Sequence, residues 1–390
     1  MSDGNSGDEK KMKVLHVITG LSQGGAENAL FRLVTYKPAR VTHIVISTID
    51  AGVYGPKLIN AGISVFTLGM TRGHLKISGI FKLWKLIRKE KPDVVQTWMY
   101  HADLIGGITA RLAGCSSVCW GVHTFNLDAA VMSKSTRTIV KLCALTSWIV
   151  PSRIISVAES SVRVHVAVGY TKNKFLTIPL GFNSDVGEGN TPKGTGMINF
   201  INKSDKVTIL GCVARWDPQK DHGNLLQALA ILQHRKIEFK CIFVGPGMDY
   251  QNRTLSDLVL KMKVNSENIF LAGFVEGASS IMSSFDLHIL SSLGEAFANV
   301  VAEAMISGTP CICTDVGDVA LVVGETGWIV PPSDPVALAS AIEDAISEMN
   351  DRIKWSARKE ACKKYIKDNY SIERMVDSYF RVWNSVRKNR

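Results

Sequence analysis

Short apolar runs alternate with amphipathic segments along most of this chain. In the first half, residues 13–19 form a β-rich apolar run, residues 20–25 form a glycine-rich turn, and a helical pattern begins at Ala26. Further apolar runs occupy residues 43–49, 65–68, 94–97 and 154–157. Because strands that alternate with helices build parallel sheets covered on both faces, this pattern predicts a doubly wound α/β domain.

The alternation stops at residues 183–206, a segment rich in Gly, Asn, Ser and Lys that predicts a linker. It restarts with apolar runs at residues 207–213, 239–244, 269–272, 287–290 and 310–314. We therefore expect two Rossmann-like domains, at 12–182 and 207–368. A flexible tail at 1–11 and a C-terminal helix at 369–390, packed back on the N-terminal domain, complete the predicted organisation.

Two such domains joined by one linker are expected to face each other across a cleft. In open parallel sheets, ligands bind outside the carboxyl ends of the strands. The candidate functional residues are therefore the glycine turns and charged side chains that directly follow the apolar runs.

The charge of the chain is unevenly distributed. The first 190 residues carry 22 Lys and Arg against 12 Asp and Glu, so the whole net charge of +10 lies in that half. This surplus predicts an anionic partner for the N-terminal domain. No helix-turn-helix or zinc-finger pattern accompanies the charge, so we do not expect nucleic acid to be that partner.

Cysteine usage and hydropathy bear on the compartment. The eight cysteines lie mostly within apolar runs and have the spacing of neither zinc ligands nor a disulfide framework. The longest apolar stretches, at 104–120 and 142–157, are interrupted by Arg111 and by Pro151 with Arg153. We therefore expect a reduced, cytoplasmic protein, whose surface charge would place it at the inner face of the cytoplasmic membrane.

Glu295 and Glu303 flank the start of a predicted helix that ends at Gly308. A helix N-terminus presents free N–H groups that bind anions. A ligand with hydroxyl groups at both ends and phosphate in the middle would fit this arrangement. The alternative is a helix-start glutamate and a solvated glutamate with no shared ligand.

Arg215 and Lys220 directly follow the apolar run at 207–213. A planar Arg and a point-charge Lys together suit a diphosphate, although such a pair can also be plain surface charge. The Gly245-Pro-Gly247 turn follows the next run, and the absence of a third glycine argues against a dinucleotide fingerprint.

Residues 291–317, SSLGEAFANVVAEAMISGTPCICTDVG, resemble the signature of the retaining family 4 glycosyltransferases, in which seven residues separate two glutamates. The resemblance implies the GT-B fold and a nucleotide-sugar donor held mainly by the C-terminal domain, with no metal or other cofactor. It implies that Glu295 binds sugar hydroxyls and Glu303 the ribose. Arg215 and Lys220 would neutralise the donor diphosphate.

The same resemblance implies further donor contacts, most of them through backbone groups. They are the glycine turns at Gly24, Gly25, Gly245 and Gly247, the base-reading loop at Phe274 and Val275, and the amides of Phe297, Ala298 and Asn299.

Two histidines are candidates in the N-terminal domain. His123 follows a short apolar run, and the resemblance implies that a histidine at this point reaches the donor sugar, as a catalytic residue beside Glu295, Arg215 and Lys220. Related chains have a Gly-Ile-Arg-His pattern here, whereas this chain has Gly-Val-His-Thr, which shifts the histidine by one residue. His101 is expected on the acceptor side.

Residues 76–91 form a basic amphipathic helix. Such a helix either packs on the sheet with a solvated basic edge or docks on an anionic membrane. Packing on the sheet is the ordinary interpretation of such a helix. The charge surplus of the whole N-terminal half supports docking, and a basic acceptor domain suits a polyprenyl-diphosphate-linked acceptor.

The resemblance therefore implies a metal-independent, retaining hexosyltransferase that moves a sugar from a UDP-sugar to a glycan or lipid-linked glycan in bacterial polysaccharide or lipopolysaccharide biosynthesis. Two alternatives remain: a sugar-nucleotide epimerase on the same fold, and a non-catalytic nucleotide-sugar-binding subunit.

Overall fold

The computed structural model describes residues 11–36, 40–71, 76–125, 127, 132–183, 200–201 and 207–388. Nearly all of the predicted tail and of the predicted linker lies outside these ranges. The chain divides into two compact units, one from Met1–Gly181 together with Ile372–Arg390 and the other from Phe182–Ser371.

The first unit contains a seven-stranded parallel sheet in the order β3-β2-β1-β4-β5-β6-β7. Its strands are β1 (Met12–Ile18), β2 (Val41–Ser47), β3 (Ser64–Thr67), β4 (Val94–Trp98), β5 (Val118–Val122), β6 (Arg153–Ser156) and β7 (Phe175–Thr177). Because the strand order reverses between β1 and β4, this is a doubly wound sheet.

Helices connect these strands, and the core lies where their apolar faces meet the sheet. They are α1 (Gly25–Thr35), α2 (Tyr54–Asn60), α3 (Ile77–Glu90), α4 (Tyr100–Leu112), α5 (Lys134–Thr146) and α6 (Glu159–Ala167). In β4 every residue is buried, as expected for a strand with helices on both faces.

The second unit contains a six-stranded parallel sheet in the order β10-β9-β8-β11-β12-β13. Its strands are β8 (Thr208–Val213), β9 (Phe239–Val244), β10 (Ile269–Gly273), β11 (Leu287–Leu290), β12 (Cys311–Thr314) and β13 (Trp328–Val330). Its helices are α7 (His222–His234), α8 (Arg253–Lys261), α9 (Asn299–Ile306), α10 (Val319–Val323), α11 (Pro335–Met349) and α12 (Arg352–Asn369). The order reverses between β8 and β11, so this sheet is doubly wound as well.

The last helix, α13 (Ile372–Val386), belongs to the first unit. It buries Tyr379 and Trp383 completely, and the Trp383 indole N–H donates to Gln96 Oε1 at 3.1 Å. Because Gln96 lies in the middle strand β4, this bond ties the end of the chain to the centre of the first sheet.

None of the helices that the structure describes is both long and apolar enough to span a bilayer. All eight cysteines are buried and have free thiols.

Candidate functional site

Polar and glycine-rich segments gather at the carboxyl edge of the second sheet. They follow the strands β8 to β12, and in a parallel sheet all strand ends of one kind lie at the same edge. The segments are residues 214–220 after β8, 245–247 after β9, 274–275 after β10, 291–298 after β11 and 315–317 after β12.

Lys220 and Glu295 form an ion pair at this edge, with Lys220 Nζ 2.5 Å from Glu295 Oε1. Both side chains are largely shielded from solvent, at 18% and 13% exposed. Ser292 Oγ donates to the same carboxylate oxygen at 2.8 Å. The residues predicted to bind the diphosphate and the sugar therefore contact one another directly, in a setting where charges act more strongly than in water.

Backbone contacts fix the two loops that carry this ion pair. Ser291 Oγ donates to the Lys220 carbonyl oxygen at 2.9 Å, and the Leu293 N–H donates to the Gln219 carbonyl oxygen at 2.7 Å. Because these bonds join the loops after β8 and β11, neither partner of the pair depends on a ligand for its position.

Arg215 is more exposed than Lys220 and pairs with Asp217. Its Nε lies 3.0 Å and its Nη2 2.9 Å from Asp217 Oδ2, while 60% of the Arg215 side chain stays accessible. Partial burial opposes the ionisation of Asp217, but hydrogen bonds from the Gln219 N–H and from Arg215 outweigh it and lower the Asp217 pKa. Asp217 thus holds the Arg215 guanidinium in position, and the guanidinium still presents a charge that an anion can reach.

The Gly245-Pro246-Gly247 turn lies directly against the Arg215 segment. A Cβ at Gly245, which has φ +141°, would lie 2.1 Å from the Ala214 carbonyl oxygen. The Trp216 N–H donates to the Pro246 carbonyl oxygen at 2.8 Å. Only glycine fits at position 245, because the backbones of two loops approach each other there.

The N-terminus of α9 lies between Glu295 and Glu303. Glu303 is partly buried one turn into this helix. The Asn299 N–H donates to the Phe297 carbonyl oxygen at 3.1 Å. A bound nucleotide sugar would have to replace that carbonyl as the acceptor in order to use this amide. The Phe297 and Ala298 side chains are buried, which leaves their backbones as the groups that a ligand could meet.

A second glycine holds this loop in place. Gly317, with φ +60°, lies so close to Glu295 that a Cβ would be 1.8 Å from the Glu295 carbonyl oxygen. The next residue, Asp318, donates its N–H to the Ala296 carbonyl oxygen at 3.3 Å. The exit of β12 therefore sets the backbone position of Glu295.

The predicted base-reading loop has one strongly exposed side chain. Phe274 is 53% exposed, and Val275 beside it is partly buried. The loop begins at Gly273, whose carbonyl oxygen accepts from the Gly245 N–H at 2.8 Å. An exposed aromatic ring anchored beside the glycine turn suits stacking on a base.

In the first unit, the predicted residues follow β1, β4 and β5 at the carboxyl edge of that sheet. Gly24 is the N-cap of α1 and Gly25 its first residue. A Cβ at Gly24 would lie 2.3 Å from Glu27 Oε2, so glycine lets the Glu27 carboxylate approach the helix start.

His101 lies in the first turn of α4 and is partly buried, which lowers its pKa. The residue before this helix, Met99, has φ +70°, which is unusual for a side chain of its size. Its N–H donates to the Gly121 carbonyl oxygen at 2.9 Å. Such backbone strain is typical of functional loops that their surroundings hold in place.

His123 stacks on Trp98, with the ring centroids 5.2 Å apart and the planes 28° apart. Burial lowers the pKa of His123 to about 4, so its imidazole is neutral at pH 7. Its Nε2 is buried and has no partner among the residues that the structure describes. A neutral ring of this kind can donate or accept one hydrogen bond but cannot supply a positive charge.

Three contributors to these sites were not predicted. Ser292 lies three residues before Glu295, and Asp217 precedes a proline, which is a helix-cap signal that could have indicated its role. The third, His16, accepts from the Trp98 indole N–H at 3.2 Å, and Trp98 is the ring on which His123 stacks. A histidine among the apolar residues of a strand indicates such a buried polar network. Within the described ranges, no three His, Cys, Asp or Glu side chains come together as a metal-binding group.

Two family models match the sequence and together cover most of it. Residues 23–186 match "Glycosyltransferase Family 4" and residues 207–348 match "Glycosyl transferases group 1". The two matched segments correspond to the two sheets and contain most of the candidate residues described above.

Named relatives match about three quarters of this chain. The chain is 23% identical to the UDP-Gal:alpha-D-GlcNAc-diphosphoundecaprenol alpha-1,3-galactosyltransferase of Escherichia coli, over 77% of each protein. It is 25% identical to the capsular polysaccharide biosynthesis glycosyltransferase CapM of Staphylococcus aureus, over 74% of this chain and 77% of that protein.

Solved structures share the fold. Anabaena HepE in complex with UDP superposes with a TM-score of 0.78 at 20% identity, covering 96% of this chain and 100% of HepE. A glycosyltransferase from Rickettsia africae gives a TM-score of 0.79 at 20% identity, covering 98% of this chain and 100% of that one. The two family matches coincide with two doubly wound parallel sheets, and the glutamate motif follows β11. The chain therefore belongs to the family 4 glycosyltransferases and has their GT-B type of fold.

Proposed function

We propose that this chain transfers a hexosyl group from a UDP-sugar to a glycan or polyprenyl-diphosphate-linked acceptor, with retention of configuration and without a metal. The observation that carries the proposal is the Lys220–Glu295 ion pair beside the N-terminus of α9. It places a cation, a hydroxyl-binding carboxylate and the N-terminus of a helix at one sheet edge, which are the groups that a diphosphate sugar requires.

The transfer breaks the bond between the anomeric carbon and the oxygen of the distal phosphate. Positive charge develops on the sugar and negative charge on the departing diphosphate. Lys220, Arg215 and the helix N-terminus stabilise that negative charge, and fixed donors of this kind cost no reorganisation during the reaction. Glu295 accepts hydrogen bonds from sugar hydroxyls, while Lys220 Nζ contacts the carboxylate and the phosphate together.

Retention follows when the acceptor attacks from the face that the diphosphate leaves. In this proposal the acceptor hydroxyl forms the new bond to the anomeric carbon, and its proton passes to the departing phosphate oxygen. Neutral His123 would donate or accept a hydrogen bond at the sugar. The cations of the site take the place that a divalent metal has in other transferases, so no metal is required.

The choice of uridine diphosphate and of a polysaccharide pathway is supported by the relatives. The E. coli relative is named for UDP-Gal and a diphosphoundecaprenol acceptor, and HepE was crystallised with UDP and with UDP-glucose. CapM is named for capsular polysaccharide biosynthesis. We therefore assign this chain to bacterial surface-polysaccharide or lipopolysaccharide assembly.

A polyprenyl-linked acceptor lies in a membrane, and the first unit has a surface suited to binding a membrane. The helices α3, α4 and α5 lie side by side in one layer. Apolar side chains are exposed on this layer and on the turn after it: Ile77, Phe81, Leu112, Leu145, Trp148 and Ile149. Phe81 stacks on Trp84, and Lys85 Nζ lies 4.6 Å from the centre of the Phe81 ring. Aromatic, aliphatic and basic side chains combined in this way bind anionic lipid surfaces, and we name this surface the α3–α5 layer.

A product analysis of the purified protein tests the function. UDP-sugars incubated with the protein and with short lipid-linked or soluble glycans should yield UDP and an α-linked product, with or without EDTA. An epimerase would instead return an altered UDP-sugar without UDP release, and a binding subunit would release nothing. Loss of turnover in EDTA, or a β-linked product from an α-linked donor, would contradict the metal-free retaining mechanism.

A further inference from the structure

A cavity of about 470 Å³ lies at the amino ends of β1, β2 and β3 in the first unit. The candidate residues Gly24, His101 and His123 follow the carboxyl ends of strands in the same sheet, so the cavity lies at the opposite edge. The seven residues of β1 span about 23 Å at ~3.3 Å per residue. The cavity is therefore separate from the candidate site of this unit.

About half of the residues that line the cavity are apolar. Leu33 and Val34 of α1 line one side, and Val376, Phe380 and Trp383 of α13 line another. The volume lies within the range of about 300–1,000 Å³ that small-molecule sites occupy. Size and lining thus suit a small molecule with an apolar body.

The charges around the cavity balance. Lys11 and Arg40 oppose Glu373 and Asp377, and the Tyr36 hydroxyl donates to Glu373 Oε1 at 2.7 Å. With two cations and two anions, the charges of the lining sum to zero. A molecule with a net charge would meet lining charges of both signs, so attraction to one pair is offset by repulsion from the other.

Hydrogen bonds from the interior of the unit determine which ring nitrogen of His43, a lining residue, carries the hydrogen. The Trp98 indole N–H, which can only donate, donates to His16 Nδ1 at 3.2 Å. His16 therefore carries its hydrogen on Nε2 and donates it to His43 Nδ1 at 3.0 Å. His43 in turn carries its hydrogen on Nε2, which is the remaining donor of this cavity-lining ring.

Burial keeps both histidines neutral. It lowers the pKa of His43 to about 4 and holds the pKa of His16 well below its ordinary value, with the neighbouring His43 adding to the effect. The hydrogen-bond chain from Trp98 therefore stays in one tautomeric arrangement at pH 7, and it leaves a neutral donor among the side chains that line the cavity.

We propose that this cavity is a second ligand site, which binds a small, uncharged, largely apolar molecule whose carbonyl or ether oxygen accepts a hydrogen bond from His43 Nε2. The proposal goes beyond the transferase function and needs no turnover to be tested.

Ligand-observed NMR titration of the full chain with three probes of one size tests this site. Acetophenone has the neutral acceptor, whereas benzoate and benzylammonium carry opposite charges on a similar ring. We expect acetophenone to bind at least about tenfold more tightly than either charged probe. Absent acetophenone binding, or equal affinity for the three probes, would overturn the proposal.

Variants locate the binding. Val376→Trp fills part of the cavity and should weaken acetophenone binding at least about tenfold, while Val336→Trp on the exposed face of α11 should leave it unchanged. His43→Phe keeps a ring but removes the donor, with an expected loss of about fivefold. Undiminished binding to Val376→Trp would place the probe elsewhere. Urea denaturation of each variant reports its fold independently of acetophenone.

Discussion

Lys220 Nζ lies 2.5 Å from Glu295 Oε1, so the cation assigned to the diphosphate and the carboxylate assigned to the sugar hold each other in place. Lys220 follows β8 and Glu295 follows β11, and these strands are neighbours in the sheet. The pair therefore depends on the sheet order and on the two loops, and it places both groups before a donor arrives.

Breaking this ion pair should reduce transfer strongly. We expect Lys220→Ala and Glu295→Ala each to lower kcat/KM for the UDP-sugar by about 100-fold or more, because each removes a preorganised charge. The double variant should be far less than additively impaired, since either single change already leaves the other charge unpaired. Initial rates of UDP release measure this.

Arg235 and Glu343 provide the matched control, because they form an exposed ion pair elsewhere in the same unit. Arg235→Ala should leave kcat/KM unchanged, as surface pairs contribute little. Additive losses in the Lys220 and Glu295 double variant would show that the two groups act separately.

Gly317→Ala should destabilise the second unit and disturb Glu295. Its Cβ would lie 1.8 Å from the Glu295 carbonyl oxygen, and its φ of +60° disfavours any side chain. We expect a loss of about 2–4 kcal/mol in the free energy of unfolding, measured by urea denaturation.

Alanine variants of two other glycines separate backbone strain from the steric contact with Glu295 as causes of that loss. Gly277 has φ +69° with nothing within 4 Å of its Cβ position, so Gly277→Ala should cost about 1 kcal/mol from backbone strain alone. Gly20, with open space and an ordinary φ, should tolerate alanine. Equal losses for Gly317 and Gly277 would mean that the contact with Glu295 does not matter.

His288 should make the protein sensitive to acid. It is fully buried in β11, and neither ring nitrogen has a partner among the described residues. Burial lowers its pKa to about 4 from the ordinary 6.5. The unfolded chain takes up the proton first, so stability present above pH 6.5 is lost as the pH falls towards 4, by up to about 3 kcal/mol.

His288→Leu should remove this loss and be neutral or stabilising at pH 7, because two unsatisfied nitrogens are replaced by apolar atoms of similar volume. Urea denaturation at pH 7 and at pH 4.5 measures the difference. His234→Leu changes an exposed histidine in the same unit and should not alter the pH dependence. An unchanged acid sensitivity in His288→Leu would assign the effect to other buried histidines.

The α3–α5 layer should bind anionic vesicles. We expect flotation with vesicles containing phosphatidylglycerol, little with phosphatidylcholine alone, and release as salt screens the attraction. Leu145→Ser, at a side chain that is 68% exposed in this layer, should weaken binding severalfold.

Leu260→Ser is its control, since Leu260 is 70% exposed on α8 of the other unit. Equal flotation of the two variants would show that the layer is not the docking surface. Neither residue belongs to the candidate site, so UDP release from a soluble donor should stay unchanged in both.

The sequence alone indicated the order of elements and the loops that carry chemistry. Apolar runs with strand length, separated by helical patterns, predicted two parallel α/β sheets, because burial on both faces requires continuous apolar strands. The run from Ser291 to Gly317 predicted the family, and the position of Arg215 and Lys220 after a strand predicted a place at the sheet edge. Each of these signals is local in the chain.

Contacts between distant segments were decided only by the tertiary structure. The Lys220–Glu295 bond joins residues 75 positions apart, and the Trp383–Gln96 bond joins residues 287 apart. His16, His43 and Trp98 come from three strands, and nothing in any one strand indicates their shared hydrogen-bond chain. Local pattern determines which face of a strand is buried, but strand order and packing determine which side chains meet there.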